Sequence, residues 1–182
     1  MVEKMFGEPE QRIRKGRIIL MERVSKDNYY LDIAQTVAER STCLRKKYGA
    51  IIVKNDVIVS TGYNGAPRGR KNCSDLMYCM RDKLNIPRGE RYELCRSVHA
   101  EANAIIAAPR EQMLGATLYI SCIDAKSGSL EPNTSSCMMC KRQVLNAGIE
   151  TVIIRDDKEN YRVIPTTEWI ENDDSLTGIF GY

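Results

Sequence analysis

Two motifs far apart in the chain, His99-Ala100-Glu101 and Cys137-Met138-Met139-Cys140, constrain the fold more than any other feature of the sequence. Each sits at or near the start of a predicted helix. Cysteines at i and i+3 lie on one face of a helical turn, so both sulfurs can reach one ion, and the positive end of the helix favours the thiolate form that a metal needs. A histidine from a second helix start would complete three protein ligands. Zinc prefers a tetrahedral shell, and three ligands leave its fourth position for water, the arrangement of a catalytic site. Glu101, two residues beyond His99, would stand beside that water as general acid and base without itself binding metal. A lone Cys-x-x-Cys is often redox-active, and a lone histidine is more often a core residue than a ligand. Here the two motifs occur together, and His99 is the only histidine in the chain.

The 182 residues, 43% of them hydrophobic, suffice for one sizeable core and are short for two. A single domain is expected over residues 26–182, with a C-terminal extension, behind an N-terminal arm over residues 1–25 that is charged and weakly periodic. No run approaches the roughly 18 to 20 apolar residues of a membrane span, and the N-terminus is charged where a secretory signal would be apolar. A soluble, cytoplasmic protein is the expectation. The net charge of +3 is mild and the cations are scattered, so the sequence does not call for a nucleic-acid partner. Seven cysteines in a reducing compartment argue for metal binding over a disulfide framework.

A helix is predicted from Lys26, where Tyr30, Ile33, Ala34, Val37 and Ala38 make one apolar face and Ser25 or Asp27 can cap the start. The β-branched runs at 50–53 and 57–61, separated by Lys54-Asn55-Asp56, predict a hairpin. Residues 62–97, polar and holding two prolines and three cysteines, look like a long loop, which inside a compact domain needs a staple or a function. A helix over 99–108, a strand over 117–121, a helix over 137–147 closed by Gly148 and a strand over 151–155 follow. This alternation reads as parallel crossover units packed on the opening hairpin. A weak strand at 161–164 and a short helix near Trp169 complete the pattern.

The H-x-E and C-x-x-C pattern resembles the signature of zinc nucleobase deaminases. The segment Ser60-Thr61-Gly62-Tyr63-Asn64-Gly65-Ala66-Pro67-Arg68-Gly69, the following Asn72-Cys73-Ser74-Asp75, and His99-Ala100-Glu101-Ala102-Asn103-Ala104-Ile105 are together similar to deoxycytidylate deaminases. With Leu118-Tyr119-Ile120 and Asn146-Ala147-Gly148-Ile149, the likeness runs from about residue 28 to residue 155. The resemblance implies a three-layer α/β cytidine-deaminase fold, with a central mixed sheet of about five strands covered by helices on both faces. It implies hydrolysis of dCMP to dUMP and ammonia for thymidylate synthesis, with zinc-bound hydroxide attacking cytosine C4 and Glu101 moving the proton. Asn64 would hold the sugar or base. Among the cations flanking the expected pocket, Arg45, Lys46, Lys47 and Arg68, bidentate geometry favours an arginine for the phosphate, and Tyr161 could stack or hydrogen-bond nearby. Members are often homo-oligomers, hexamers or dimers, activated by dCTP and inhibited by dTTP, with Mg2+ accompanying the effector.

Two departures from the family pattern stand out: Ser136 replaces the usual proline before the first ligand cysteine, and the loop from Cys122 to Ser135 is long. Serine can cap a helix start, so the geometry is expected to survive. Cys122 is expected to be a small buried hydrophobe. Some members carry a second, structural zinc; Cys43 and Cys73 match its cysteines, and Cys79 and Cys95 would complete a closed four-thiolate shell. Two rival readings remain: a deaminase of dCTP or of a base in nucleic acid, and an inactive, zinc-stabilised protein that senses or binds nucleotides.

Overall fold

The computed structural model of the protein describes residues 23–87 and 89–173, so most of the arm expected over residues 1–25, and residues 174–182 where a C-terminal extension is expected, lie outside the described residues. In chain order the elements are α1 (Lys26–Ala38), β1 (Lys46–Lys54), β2 (Val57–Tyr63), α2 (Cys73–Leu76), α3 (Met80–Lys83), a 3-10 turn (Tyr92–Leu94), α4 (Ala100–Ile106), α5 (Arg110–Met113), β3 (Thr117–Asp124), α6 (Met138–Ala147), β4 (Thr151–Arg155), β5 (Tyr161–Pro165) and α7 (Thr167–Glu171). Among the described residues, no helix is long and apolar enough to cross a membrane.

The strands form one mixed sheet in the order β2-β1-β3-β4-β5. The expected parallel crossovers are β2-α4-β3, which steps over β1, and β3-α6-β4, whose strands are neighbours; β5 does not continue the series. β3 and β4 are parallel, joined through α6, whereas β1 pairs antiparallel with β2 and β3, and β5 antiparallel with β4. Residues 156–160, which join β4 to β5, are too few for the crossover of about a dozen residues that a parallel pair requires. In the opening hairpin Asn55 and Asp56 both take positive φ, 50° and 62°, giving the two-residue turn whose twist matches the strands. The described residues of 62–97 carry the end of β2, an isolated bridge from Gly65 to Val98, two four-residue helices and the 3-10 turn, lengths too short to leave a periodic signal.

Both faces of the sheet are covered, and the period of two in the strands sorts the core. Ile51, Val53, Tyr119 and Ile153 face α1, meeting Tyr30, Leu31 and Ala34. Ala50, Ile52, Leu118, Ile120, Val152 and Ile154 face the other way, meeting Ala100 and Ala104 of α4 and Val144 and Ala147 of α6. Each fully buried Ile or Leu contributes about 1.5–3 kcal/mol. Ser25 caps α1 by accepting from the amide of Asn28. The same helix is pinned by Arg155, 2% exposed at the end of β4, which donates to Asp32 Oδ1 (2.6 Å), Gln35 Oε1 (3.1 Å) and the carbonyl of Asn28 (3.1 Å).

Two glycines let the layers close. A Cβ on Gly49 would strike the Ala34 carbonyl and the Ala38 amide of α1, and one on Gly62 would strike the Ala100 carbonyl and the Ala104 amide of α4. Gly62 belongs to the Gly-Tyr-Asn-Gly segment, and its place in β2 shows that at this position the motif serves helix-to-strand approach. A Gly62→Ala substitution should push α4 off the sheet and destabilise the fold by about 1–3 kcal/mol. Thermal unfolding measures this, and an unchanged midpoint would contradict the close approach.

Candidate active site

His99 and Cys137 are the N-cap residues of α4 and α6, each extended (φ −72°, ψ 157° and φ −70°, ψ 164°) just before the chain turns helical. Because the two helices share one core on the same sheet face, their first turns meet. His99 Nδ1 lies 3.4 Å from Cys137 Sγ and 3.4 Å from Cys140 Sγ, and the three ligand atoms fall within 4.8 Å of one another. This is the only such group of His, Cys, Asp and Glu among the described residues. One imidazole and two sulfurs form a borderline-soft donor set that suits zinc, with room for a fourth ligand. Glu101, 4% exposed in the first turn of α4, lines the same cleft as His99 and Cys137.

Charge within the trio is uneven. The Cys137 thiol is pushed down to about 4, chiefly by its hydrogen bond with Cys140 and, against the opposing effect of burial, by His99. Burial acts to lower the His99 pKa, but interactions with Cys137 and Cys95 and the charge of Glu101 outweigh it and raise the value to about 10. Cys140 is driven up by the hydrogen bond with Cys137, by burial and by Glu101. The metal-free trio at neutral pH is thus an imidazolium, a thiolate and a thiol.

The cleft lining also includes Arg45, Lys46, Tyr48, Asn64, Arg81, Tyr92, Ser97 and Ser135, together with Cys43, Cys79 and Cys95. Asn64 is 7% exposed and its amide is largely committed: Oδ1 accepts from the Tyr48 amide (2.8 Å) and Ser41 Oγ (2.5 Å), and Nδ2 donates to the Lys46 carbonyl (2.9 Å). One amide hydrogen is left for a ligand. Arg45 pairs with Asp82 at 3.3 Å and Lys46 with Glu131. Arg68 is exposed and, like Lys47, is not part of the lining. Tyr161 is not brought to the cleft. Its position on β5 pairs with Arg155, which puts it on the α1 face, where its hydroxyl donates to Asp27 (3.0 Å).

Cys73 is buried with Cys43, Cys79 and Cys95 near enough to raise its pKa beyond the effect of burial. These four sit on separate pieces: Cys43 lies between α1 and β1, Cys73 opens α2, Cys79 is the N-cap residue of α3 without a capping hydrogen bond from its side chain, and Cys95 follows the 3-10 turn; no three of their sulfurs gather into one cluster. Cys122 is fully buried and its thiol is pushed up to about 12 by burial, as a small core residue. Ser136 does not cap α6: Cys137 takes that place, and the Ser136 hydroxyl is buried without a hydrogen-bond partner. Tyr48, Arg81, Tyr92 and Ser135 were not among the residues the sequence pointed to. Tyr48 shares a strand face with Ala50 and Ile52, so alternation could have found it, whereas the other three lie in segments without periodicity.

Zinc binding needs neutral imidazole and two thiolates, so the metal-free trio must lose about two protons, one from His99 and one from Cys140. Lowering pH refills both groups and opposes binding. Zinc affinity should therefore climb by about a hundredfold per pH unit between about pH 6 and about pH 8, as read by competition against a chelator. A flat profile would contradict this charge distribution.

Comparison with known proteins bears on the same residues. The family model for the cytidine and deoxycytidylate deaminase zinc-binding region matches residues 24–155. The deoxycytidylate deaminase of Mycobacterium phage D29 is 39% identical over 138 residues, covering 73% of this chain and 96% of the phage protein. The Schizosaccharomyces pombe deoxycytidylate deaminase is 31% identical over 131 residues, 72% of this chain but 37% of the yeast protein. The human one is 32% identical over 132 residues, 71% of this chain and 64% of its own. The crystal structure of the dCMP deaminase from the cyanophage S-TIM5 in apo form aligns with a TM-score of 0.50 at 27% identity, covering 72% of this chain and 82% of that one. The matched region begins just before the cap of α1, takes in all three candidate ligands and Glu101, and ends with β4. The chain belongs to the cytidine and deoxycytidylate deaminase family of zinc-dependent hydrolases.

Proposed function

We propose that this chain hydrolyses dCMP to dUMP and ammonia. The observation that carries the reading is the convergence of His99, Cys137 and Cys140 beside the buried carboxyl of Glu101, in a cleft also lined by Arg45 and Lys46. The 96% coverage of the phage D29 deoxycytidylate deaminase supports the choice of a mononucleotide.

His99, Cys137 and Cys140 would hold zinc, which when bound supplies the polarisation that makes water a nucleophile at neutral pH. Glu101 takes the proton that water gives up as its oxygen bonds to C4 of the base, and passes it to ring N3. A second proton, carried from the same oxygen by Glu101, reaches the exocyclic amine, the C4–N bond breaks and ammonia leaves. The product keeps the oxygen as the uracil carbonyl. Asn64 offers its remaining amide hydrogen to the sugar, and Arg45 exchanges Asp82 for the substrate phosphate. Burial of Glu101 keeps bulk water from competing for the proton.

The same reading makes the product a supply of dUMP for thymidylate synthesis and the protein a homo-oligomer under control of dCTP and dTTP, with Mg2+ beside the effector. It extends to a structural zinc on Cys43, Cys73, Cys79 and Cys95, whose sulfurs would close on the ion. A metal count with an activity panel of dCMP, dCTP, cytidine and a cytosine-containing oligonucleotide, run with and without dCTP and dTTP, tests the substrate, the nucleotide control and the second zinc. Turnover confined to the oligonucleotide would defeat the mononucleotide reading, and one zinc per chain would defeat the second site.

Two substitutions probe the chemistry. Glu101→Gln should keep zinc and fold while losing about 10²–10⁴ in turnover, and equal activity would remove Glu101 from the mechanism. Arg45→Gln should raise the KM for dCMP by about tenfold to a hundredfold while leaving deamination of deoxycytidine unchanged. An equal loss on both substrates would show that Arg45 does not read the phosphate.

A further inference from the structure

Residues 77–97 form a segment with little core of its own. Met77, Leu84 and Leu94 are exposed, the regular structure amounts to α3 and the 3-10 turn, and Arg91 enters that turn in the left-handed region at φ 46°. Among its described residues one side chain is deeply buried: Arg81, 4% exposed. The guanidinium of Arg81 donates from Nη1 to the carbonyls of Glu90 and Arg91 (2.9 Å to the latter) and from Nη2 to the carbonyl of Pro87 (2.7 Å). It thereby gathers the chain on either side of Gly89 around one charge. Its ζ-carbon also lies 4.5 Å from the centroid of the Tyr92 ring.

Tyr92 in turn stands edge-on to His99, with ring centroids 5.3 Å apart and planes at 88°. Both rings line the cleft. The residue after Arg81, Asp82, pairs with Arg45, which ties α3 to the entrance of β1. A metal-binding histidine needs a neighbour to fix its ring orientation, usually a hydrogen-bonding group on the far nitrogen. Here the ring that presents Nδ1 to the two sulfurs also interacts with Cys95 and is braced by the Tyr92 ring, and that aromatic is itself held by a cation on its face.

We propose that Arg81 and Tyr92 are positioning residues for the metal ligand His99, so that the loop between α2 and α4 holds the imidazole in the orientation zinc requires. This rests on the reading of His99, Cys137 and Cys140 as the zinc ligands. Arg81 acts through Tyr92, and Tyr92 acts through His99; neither needs to touch the reacting atoms.

The test uses the full-length zinc-loaded protein and reads the rate of zinc release to a chelator, together with the visible absorption of the cobalt-substituted protein. Tyr92→Leu should release zinc about 10–100-fold faster and shift the cobalt bands, whereas Tyr92→Phe, which keeps the ring, should stay within about twofold of the parent. Arg81→Met should behave like Tyr92→Leu. A folded Tyr92→Leu variant with parental release rate and cobalt spectrum overturns the proposal. Should that variant not fold, Arg81→Lys is compared with Tyr92→Phe: faster release in Arg81→Lys alone supports the proposal, and equal retention in both overturns it. Absence in the parent protein of a zinc that His99→Ala removes overturns the metal reading, and this inference with it.

Discussion

Everything in the cleft depends on two helices being allowed to lie flush against one sheet face. His99 and Cys137 reach each other because α4 and α6 begin at the same end of that face, and α4 lies there because β2 presents hydrogen where every other residue would present carbon. The opposite layer obeys the same condition through Gly49 and α1. Close packing of this kind is intolerant of added volume, since interiors are filled to crystal-like density. The candidate metal site therefore depends on backbone separation before it depends on the chemistry of any one side chain.

Much of this was legible in the sequence because the features involved are repetitive or local. The continuous apolar runs in 50–53 and 151–155 marked strands buried on both faces, and Gly148, left-handed at φ 78°, marked the end of α6. The ligand motifs were readable because i, i+3 spacing on a helix has one geometric meaning. What escaped was non-local. Whether Tyr161 reaches the cleft or packs as an ordinary tyrosine turns on a register that the sequence does not carry, and the pairing of β5 with β4 sends it to the other face. The direction of β5 itself could only come from the length of its connection. The cap that serine chemistry suggests for Ser136 falls one residue later, on Cys137, a shift within the ordinary uncertainty of helix ends.

The loop over residues 62–97 shows a different limit. Its order comes from Arg81 reaching main-chain oxygens and from the Asn72–Asp75 capping box, none of which carries a period. Polar anchoring of this type is invisible to hydrophobic pattern, and it leaves apolar residues such as Met77 exposed without signalling anything. The cysteines in this loop are similarly ambiguous, being near one another without sharing a shell.

Because His99 and Cys137 occupy cap positions, the reach of each candidate ligand is set by where a helix starts and only secondarily by side-chain torsions. The solvent-facing residues of α4 and α6 are consequently free to drift in sequence while the donor geometry stays put. Anyone transplanting this centre into another scaffold would have to copy two helix beginnings and the narrow strand beneath them; three isolated point changes would leave the donors without a common focus.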